Sequence, residues 1–251
     1  CTITTSLIIA WLLQKILKVP ANTSILVGVG SSICGGSAIA ATAPVIDADD
    51  DEIAQSIAVI FFFNVLAAIF FPILGKAIGF DTVHGDAFGI FAGTAINDTS
   101  SVTAAASTWD SMWNLGSETL NKAVTVKLTR TLAIIPITLG LSLIRARQSA
   151  KEGRQAAKFS FKRAFPMFIL YFVLAAIITT VCVHMGVNAE VFHPLKELSK
   201  FMIIMAMAAI GLNSNVIQLI KTGGKPIIVG ASCWCGITAV SLIMQHIMKI
   251  W

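Results

Sequence analysis

The sequence predicts an all-α membrane protein, a bundle of about eight apolar helical segments with interrupted helices near the midplane. Three observations carry this. Of the 251 residues 56% are hydrophobic and only 12% charged, and mean hydropathy is +0.82, far from the balance of a water-soluble domain. Continuous apolar runs of the length a bilayer requires, about 17 to 25 residues, recur from end to end. These runs do not alternate with period two over ten-residue stretches, which argues against a membrane barrel.

In chain order the segments fall at 3–18, 22–46, 53–79, 84–107, 119–146, 164–187, 197–220 and 226–250. Cys1 is followed at once by an apolar helix, without a Met start, basic leader or cleavage site, and reads as a fragment rather than a signal peptide. "DADDDE", Asp47 to Glu52, departs from a calcium loop at its sixth and twelfth positions and is expected to cap the next helix. "RARQSAKEGRQAAKFSFKR", Arg145 to Arg163, is the one long polar connection. It divides membrane helices 1–144 from a three-helix portion 164–251, with 145–163 as a basic linker.

If all eight segments cross, the basic side chains sort by loop into twelve on one side, including that linker, and four on the other, with Lys127 and Arg130 inside. The richer side is expected to be cytoplasmic. The net charge of +5 then reflects topology and contact with anionic lipid, with no indication of nucleic acid. The cysteines Cys1, Cys34, Cys182, Cys233 and Cys235 lack zinc-ligand spacing and read as inert thiols. No metal and no cofactor are expected.

"GSSICGGSAIAATAP", Gly30 to Pro44, is too apolar for a surface loop and too rich in glycine for an ordinary helix. Its texture returns in "GTAINDTSSVTAAAS", Gly93 to Ser107. An offset of 63 residues superposes Gly30 on Gly93, Ile33 on Ile96, Ser37 on Ser100 and Ala41 on Ala104, and sets Ser31 against Thr94. In hydrocarbon, non-helical backbone survives only where protein or a water-filled cavity surrounds it. Two interrupted helices would present dipole ends and hydroxyls to an anion. Close packing of small residues is the rival account.

Asp98 in the second stretch is an ionisable group in an apolar segment and needs a partner. In the next segment Lys127 and Arg130 stand three apart on one helical face. Pairing of Asp98 with one of them would leave the other for an anion. The expected substrate-binding set is therefore Ser31, Ser32, Cys34, Gly35, Gly36, Ser37, Thr94, Asn97, Asp98, Thr99, Ser100, Lys127 and Arg130. Asn64 is expected to bond between helices. An enzyme is not expected, because no histidine is placed to activate the serines.

At these residues the chain resembles the YeiH-type sulfate exporter family. The likeness is carried by "GSSICGGSAIAATAPVI", "GTAINDTSSVTAAA", "KLTRTLAIIP", "MAMAAIGLNSNV" and "GGKPII", spread over nearly all of the chain. The resemblance implies a multi-pass bacterial inner-membrane carrier of a small inorganic or organic anion, a sulfur-containing one foremost, related to cation:proton antiporters and anion transporters. It implies two repeats, interrupted helices, alternating access, a homodimer, and H⁺ or Na⁺ as coupling ion. The family carries further segments ahead of this point, so the chain is expected to lack the opening of the first repeat. Asn97-Asp98 stands where the family has a His-Glu type of pair. An anion channel, or a scaffold or sensor without transport, is the alternative. If segments two and four both cross, however, they run in the same direction, unlike inverted repeats. One of them must be re-entrant, or the offset of 63 is not the repeat.

Overall fold

The computed structural model describes residues 1–134, 136–141, 144, 167–186, 188–195, 197–198, 201–202, 205 and 224–251. The expected linker 145–163 and most of segment 197–220 lie outside the described residues. All regular structure among the described residues is helical. It falls in two compact units, Cys1–Ala164 with Val216–Trp251, and Phe165–Asn215.

The first unit contains α1 (Thr2–Leu17), α2 (Ala21–Ser32), α3 (Gly36–Ile46), α4 (Asp50–Ile78), α5 (Asp86–Ala95), α6 (Thr99–Trp113), α7 (Glu118–Thr131) and α9 (Gly224–Ile247). The second contains α8 (Met167–His184) and a short 3-10 turn, Ala189–Phe192. Among the described residues, three helical stretches are long and apolar enough to cross a membrane: Asp50–Ile78, Glu118–Leu141 and Gly224–Ile247. Exposed Tyr171, Leu174, Ile177 and Ile178 on α8 suit a lipid surround.

α4 is the yardstick. Its 29 residues span about 43 Å at 1.5 Å per residue. Its start is organised by Glu52, whose carboxylate accepts the Asp49 amide at 3.1 Å and the Asn22 side chain at 3.0 Å, as expected of a capping acidic stretch. Asn22 is at the start of α2, and α3 ends only a few residues before α4 begins. The start of α2 and the end of α3 therefore lie together. A continuous helix over 22–46 would separate them by roughly 36 Å, so the chain turns back.

The turn is Ile33 to Gly35. Gly35 has φ 73 and ψ −126, a conformation that side chains exclude. Gly30 allows the two arms to close, since a Cβ there would stand 3.0 Å from the Ile39 side chain. α1 packs along the first arm, with Ser6 Oγ donating to Gly28 O at 3.0 Å and Ser24 Oγ to Ala10 O at 2.7 Å.

α5 and α6 form a second hairpin. Gly85, before α5, presses on Thr119, and Asp110, near the end of α6, accepts the amides of Thr119 and Leu120, each at 3.0 Å. Both ends of this hairpin thus meet the start of α7. Across its arms Phe88 and Trp109 stack with ring centroids 4.3 Å apart. The hairpin sits at the far end of α4, where Phe80 touches Phe88 and Phe91. The two hairpins therefore approach each other from opposite ends of α4.

α9 runs alongside α4 in the same direction. Gly230 lies on Val59 and Phe63, Trp234 stacks on Phe71 at 5.4 Å, and Trp251 Nε1 donates to Gly79 O at 3.1 Å. Segments 22–46 and 84–107, expected as interrupted helices, with one of them re-entrant if the offset of 63 is the repeat, both fold back on themselves. The tertiary contacts of Gly30 and Trp109 override an apolar length that suits a crossing.

Candidate functional site at the hairpin tips

The hairpin tips meet on α7. Lys127 lies about 13 Å and Arg130 about 18 Å along this helix from Glu118. Lys127 is fully buried and Arg130 is 8% exposed. A buried cation must be paired or hydrogen-bonded, and these two are satisfied by backbone carbonyls, with one side-chain oxygen beside Arg130. Lys127 Nζ donates to Ile33 O and to Ile96 O at 3.1 Å. Arg130 Nε donates to Ser32 O at 2.7 Å. Its two terminal nitrogens reach Thr94 O, Ser31 O at 3.0 Å and Asn97 Oδ1 at 3.5 Å.

These carbonyls belong to the ends of α2 and α5. The last carbonyls of a helix have no partner within it and carry its negative dipole end. A cation there does two things at once, capping the chain and complementing the dipole. Lys127 and Arg130 each bridge both hairpins, so the two tips share one pair of caps.

The repeat at offset 63 has a direct structural counterpart. Ile33 and Ile96 both give their carbonyl to Lys127. Ser31 and Thr94 both give theirs to Arg130. Corresponding arms approach the two cations from opposite ends of α4, which is the relation inverted repeats require.

Asp98 is placed differently from the expectation that it pairs with Lys127 or Arg130. It forms no ion pair with either among the described residues. Its carboxylate caps α6, accepting the amides of Ser100 at 3.0 Å and Ser101 at 3.2 Å and the Ser100 hydroxyl. The carbonyls hold the cations and the α6 N-terminus holds the anion. Thr99 begins that helix, and its carbonyl accepts from Thr103 Oγ1 at 2.9 Å.

Around the first tip, Cys34 is buried, Gly36 half-buried and Ser37 exposed. Ser37 Oγ and Cys34 Sγ are 2.9 Å apart. The Ser32 hydroxyl turns back to Val29 O at 2.9 Å. Thr94 Oγ1 donates to Ile90 O at 2.7 Å and lies 2.6 Å from Ser241 Oγ of α9. Sequence reasoning missed Ile33 and Ile96 as acceptors, because backbone groups leave no residue signature, although the offset aligned them. It also missed Ser241, for which no signal exists. Asn64 does bond between helices, its Oδ1 accepting the amides of Asn97 at 3.1 Å and Asp98 at 3.3 Å. Among the described residues no group of His, Cys, Asp or Glu is arranged for a metal.

Opposed helical hairpins, apolar spans and buried tip cations define a helical membrane protein. The family described as Conserved hypothetical protein 698 matches residues 1–230, and the chain belongs to that family. It is 62% identical over 251 residues to a UPF0324 membrane protein of Streptococcus mutans, covering all of this chain and 72% of that protein. A UPF0324 membrane protein of Streptococcus pyogenes is 59% identical, with all of this chain and 72% of the relative covered. One from Fusobacterium nucleatum is 56% identical over 261 residues, covering all of this chain and 73% of the relative. No solved structure matches.

Proposed function

We propose that the protein is a secondary transporter of a small anion, working by alternating access around the hairpin tips, with a sulfur-containing anion as the class the YeiH resemblance implies. The observation that supports this most is the meeting of two oppositely directed hairpins on Lys127 and Arg130. Such tips place non-helical backbone and helix ends deep in an apolar body, where carriers build their sites. Opposed hairpins also give one site two routes, each closed by one hairpin.

In this reading segments 22–46 and 84–107 are re-entrant, and the crossings number six rather than eight. Lys76 then changes sides, leaving eleven basic residues against five, and the side bearing Lys15, Lys18 and the 145–163 linker is cytoplasmic. "DADDDE" shares that side, reversing the outside position that eight crossings imply. The protein is a multi-pass protein of the bacterial inner membrane, assembled as a homodimer and driven by H⁺ or Na⁺.

Counterflow in proteoliposomes is the test. Vesicles loaded with sulfate, sulfite or methanesulfonate are expected to accelerate uptake of the labelled anion, saturably. Large unitary currents would instead support a channel, and absence of any anion flux would leave a scaffold or sensor.

A further inference from the structure

The two hairpins differ at one telling position. In the second, the Asp98 carboxylate lies on the first amides of α6. The offset of 63 puts Gly35, Ser37 and Ala38 where the second hairpin has Asp98, Ser100 and Ser101. Gly35 has no side chain, and its φ of 73 with ψ −126 keeps one out. The 11-residue helix α3 therefore begins without a side-chain cap from its N-cap residue. The Cys34 thiol lies over the first donors, against the Ser37 hydroxyl at 2.9 Å and the Ala38 amide, and a thiol is a weak acceptor; the Ser37 hydroxyl also donates to Cys34 O over a long 3.4 Å.

Asn64 supplies the second observation. Its Oδ1 faces the amides of Asn97 and Asp98, which turns Nδ2 toward the first tip. That nitrogen lies 3.6 Å from where a Gly35 Cβ would be. The residue is fully buried, and Nδ2 has no acceptor among the described residues. Native proteins rarely leave a buried donor without one.

We propose that a singly charged anion docks at the N-terminus of α3, taking the amide and hydroxyl of Ser37 and the amide of Ala38 as Asp98 takes those of Ser100 and Ser101, with Asn64 Nδ2 as a further donor. This rests on the anion reading above and adds where the anion sits and what charge it carries. Ser37 is exposed and Ala38 fully buried, so an anion approaches from the Ser37 side. Lys127 and Arg130 are engaged by carbonyls and lend no direct contact. The Asp98 Cβ lies only 3.6 Å from the Gly35 Cβ position, placing a carboxylate beside the seat. Neutral donors next to a carboxylate favour one negative charge over two.

The test uses the purified full chain in detergent micelles, titrated calorimetrically with methanesulfonate and with sulfate, which share a tetrahedral shape and differ in charge. Wild type is expected to bind methanesulfonate at least about tenfold more tightly. Ser37→Ala is expected to weaken it about tenfold, the loss of one hydrogen bond to a charged group. Ser37→Asp puts a carboxylate in the first turn of α3, which favours the helix, and is expected to abolish binding in a monodisperse protein. Asp98→Asn is expected to narrow the difference between the anions. Unchanged affinity in both Ser37 variants overturns the seat and leaves the anion reading intact. Tighter sulfate than methanesulfonate binding overturns the single charge. Absence of binding by folded wild type overturns the seat and the anion reading together.

Discussion

The carbonyls of Ile33 and Ile96, 63 positions apart in the chain, converge on one ammonium, Lys127 Nζ. Each closes the first arm of its own hairpin, and the hairpins come from opposite ends of α4. One side chain thus decides whether the two tips stay together. Replacing Lys127 by Met preserves most of its volume but leaves two buried carbonyls without their donor. At about 1 to 3 kcal/mol per orphaned group, Lys127→Met is expected to lower stability by about 2 to 6 kcal/mol, measured by thermal unfolding in detergent. Hydrogen exchange is expected to rise at both tips together. A rise at one tip alone would mean that Lys127 does not couple them.

Arg130 depends on shape as well as charge. Its fork spans three carbonyls and the Asn97 amide oxygen, and a compact ammonium cannot reach all four. Arg130→Lys is therefore expected to cost about 1 to 3 kcal/mol and to slow anion counterflow, although the charge is kept. Wild-type stability and flux in this variant would show that charge alone suffices.

Gly93 sets the approach of α5 to α7. A Cβ there would stand 2.7 Å from Ala123 O and 2.9 Å from the Val126 side chain, and the first of these is rigid backbone. Gly93→Val must push the helices apart, moving Thr94 away from Arg130. A loss of about 1 to 3 kcal/mol is expected from overpacking, read from the unfolding temperature. Gly116, with φ +68 and open space around it, makes a control in which only backbone strain acts.

Between α4 and α5 the exposed His84 Nδ1 and Asp81 Oδ2 lie 3.0 Å apart. The hydrogen bond that His84 donates to Asp81, and then the carboxylate's charge, raise the His84 pKa above its ordinary 6.5. Asp81 is held low, first by the Val83 amide and then by His84. The His84 contribution to this loop is thus fully present below about pH 6.5 and fades as pH rises through the higher folded value. The imidazole shift followed by NMR is expected to titrate above 6.5, and Asp81→Asn to bring it down. An identical midpoint in both proteins would contradict the contact.

Among the described residues the apolar runs do fall on helices, as long stretches of greasy residues in a membrane protein should. They do not say whether a run crosses or returns. The stretch 22–46 is long enough to span, and what reverses it is the Gly35 backbone together with the seating of Gly30 on Ile39; its glycines announce an interrupted helix but not that the chain turns back there. The offset of 63 was legible, and it identifies the atoms that matter, since Ile33 and Ile96 are equivalent acceptors. The partner of Asp98 was misread for a physical reason. Charges of opposite sign invite pairing on paper, whereas helix ends in an apolar interior compete for the same charges.

The proposed transport needs two hairpins that enter from opposite sides and meet on Lys127 and Arg130. Cysteine labelling in oriented membrane vesicles tests it most directly, with the native cysteines replaced and single cysteines placed at the exposed positions Ala21, Asp47, Asp81 and Asn114. Ala21 and Asp47 are expected to label from one side, and Asp81 and Asn114 from the other. Labelling of Ala21 and Asp47 from opposite sides would show that 22–46 crosses the membrane and would contradict it.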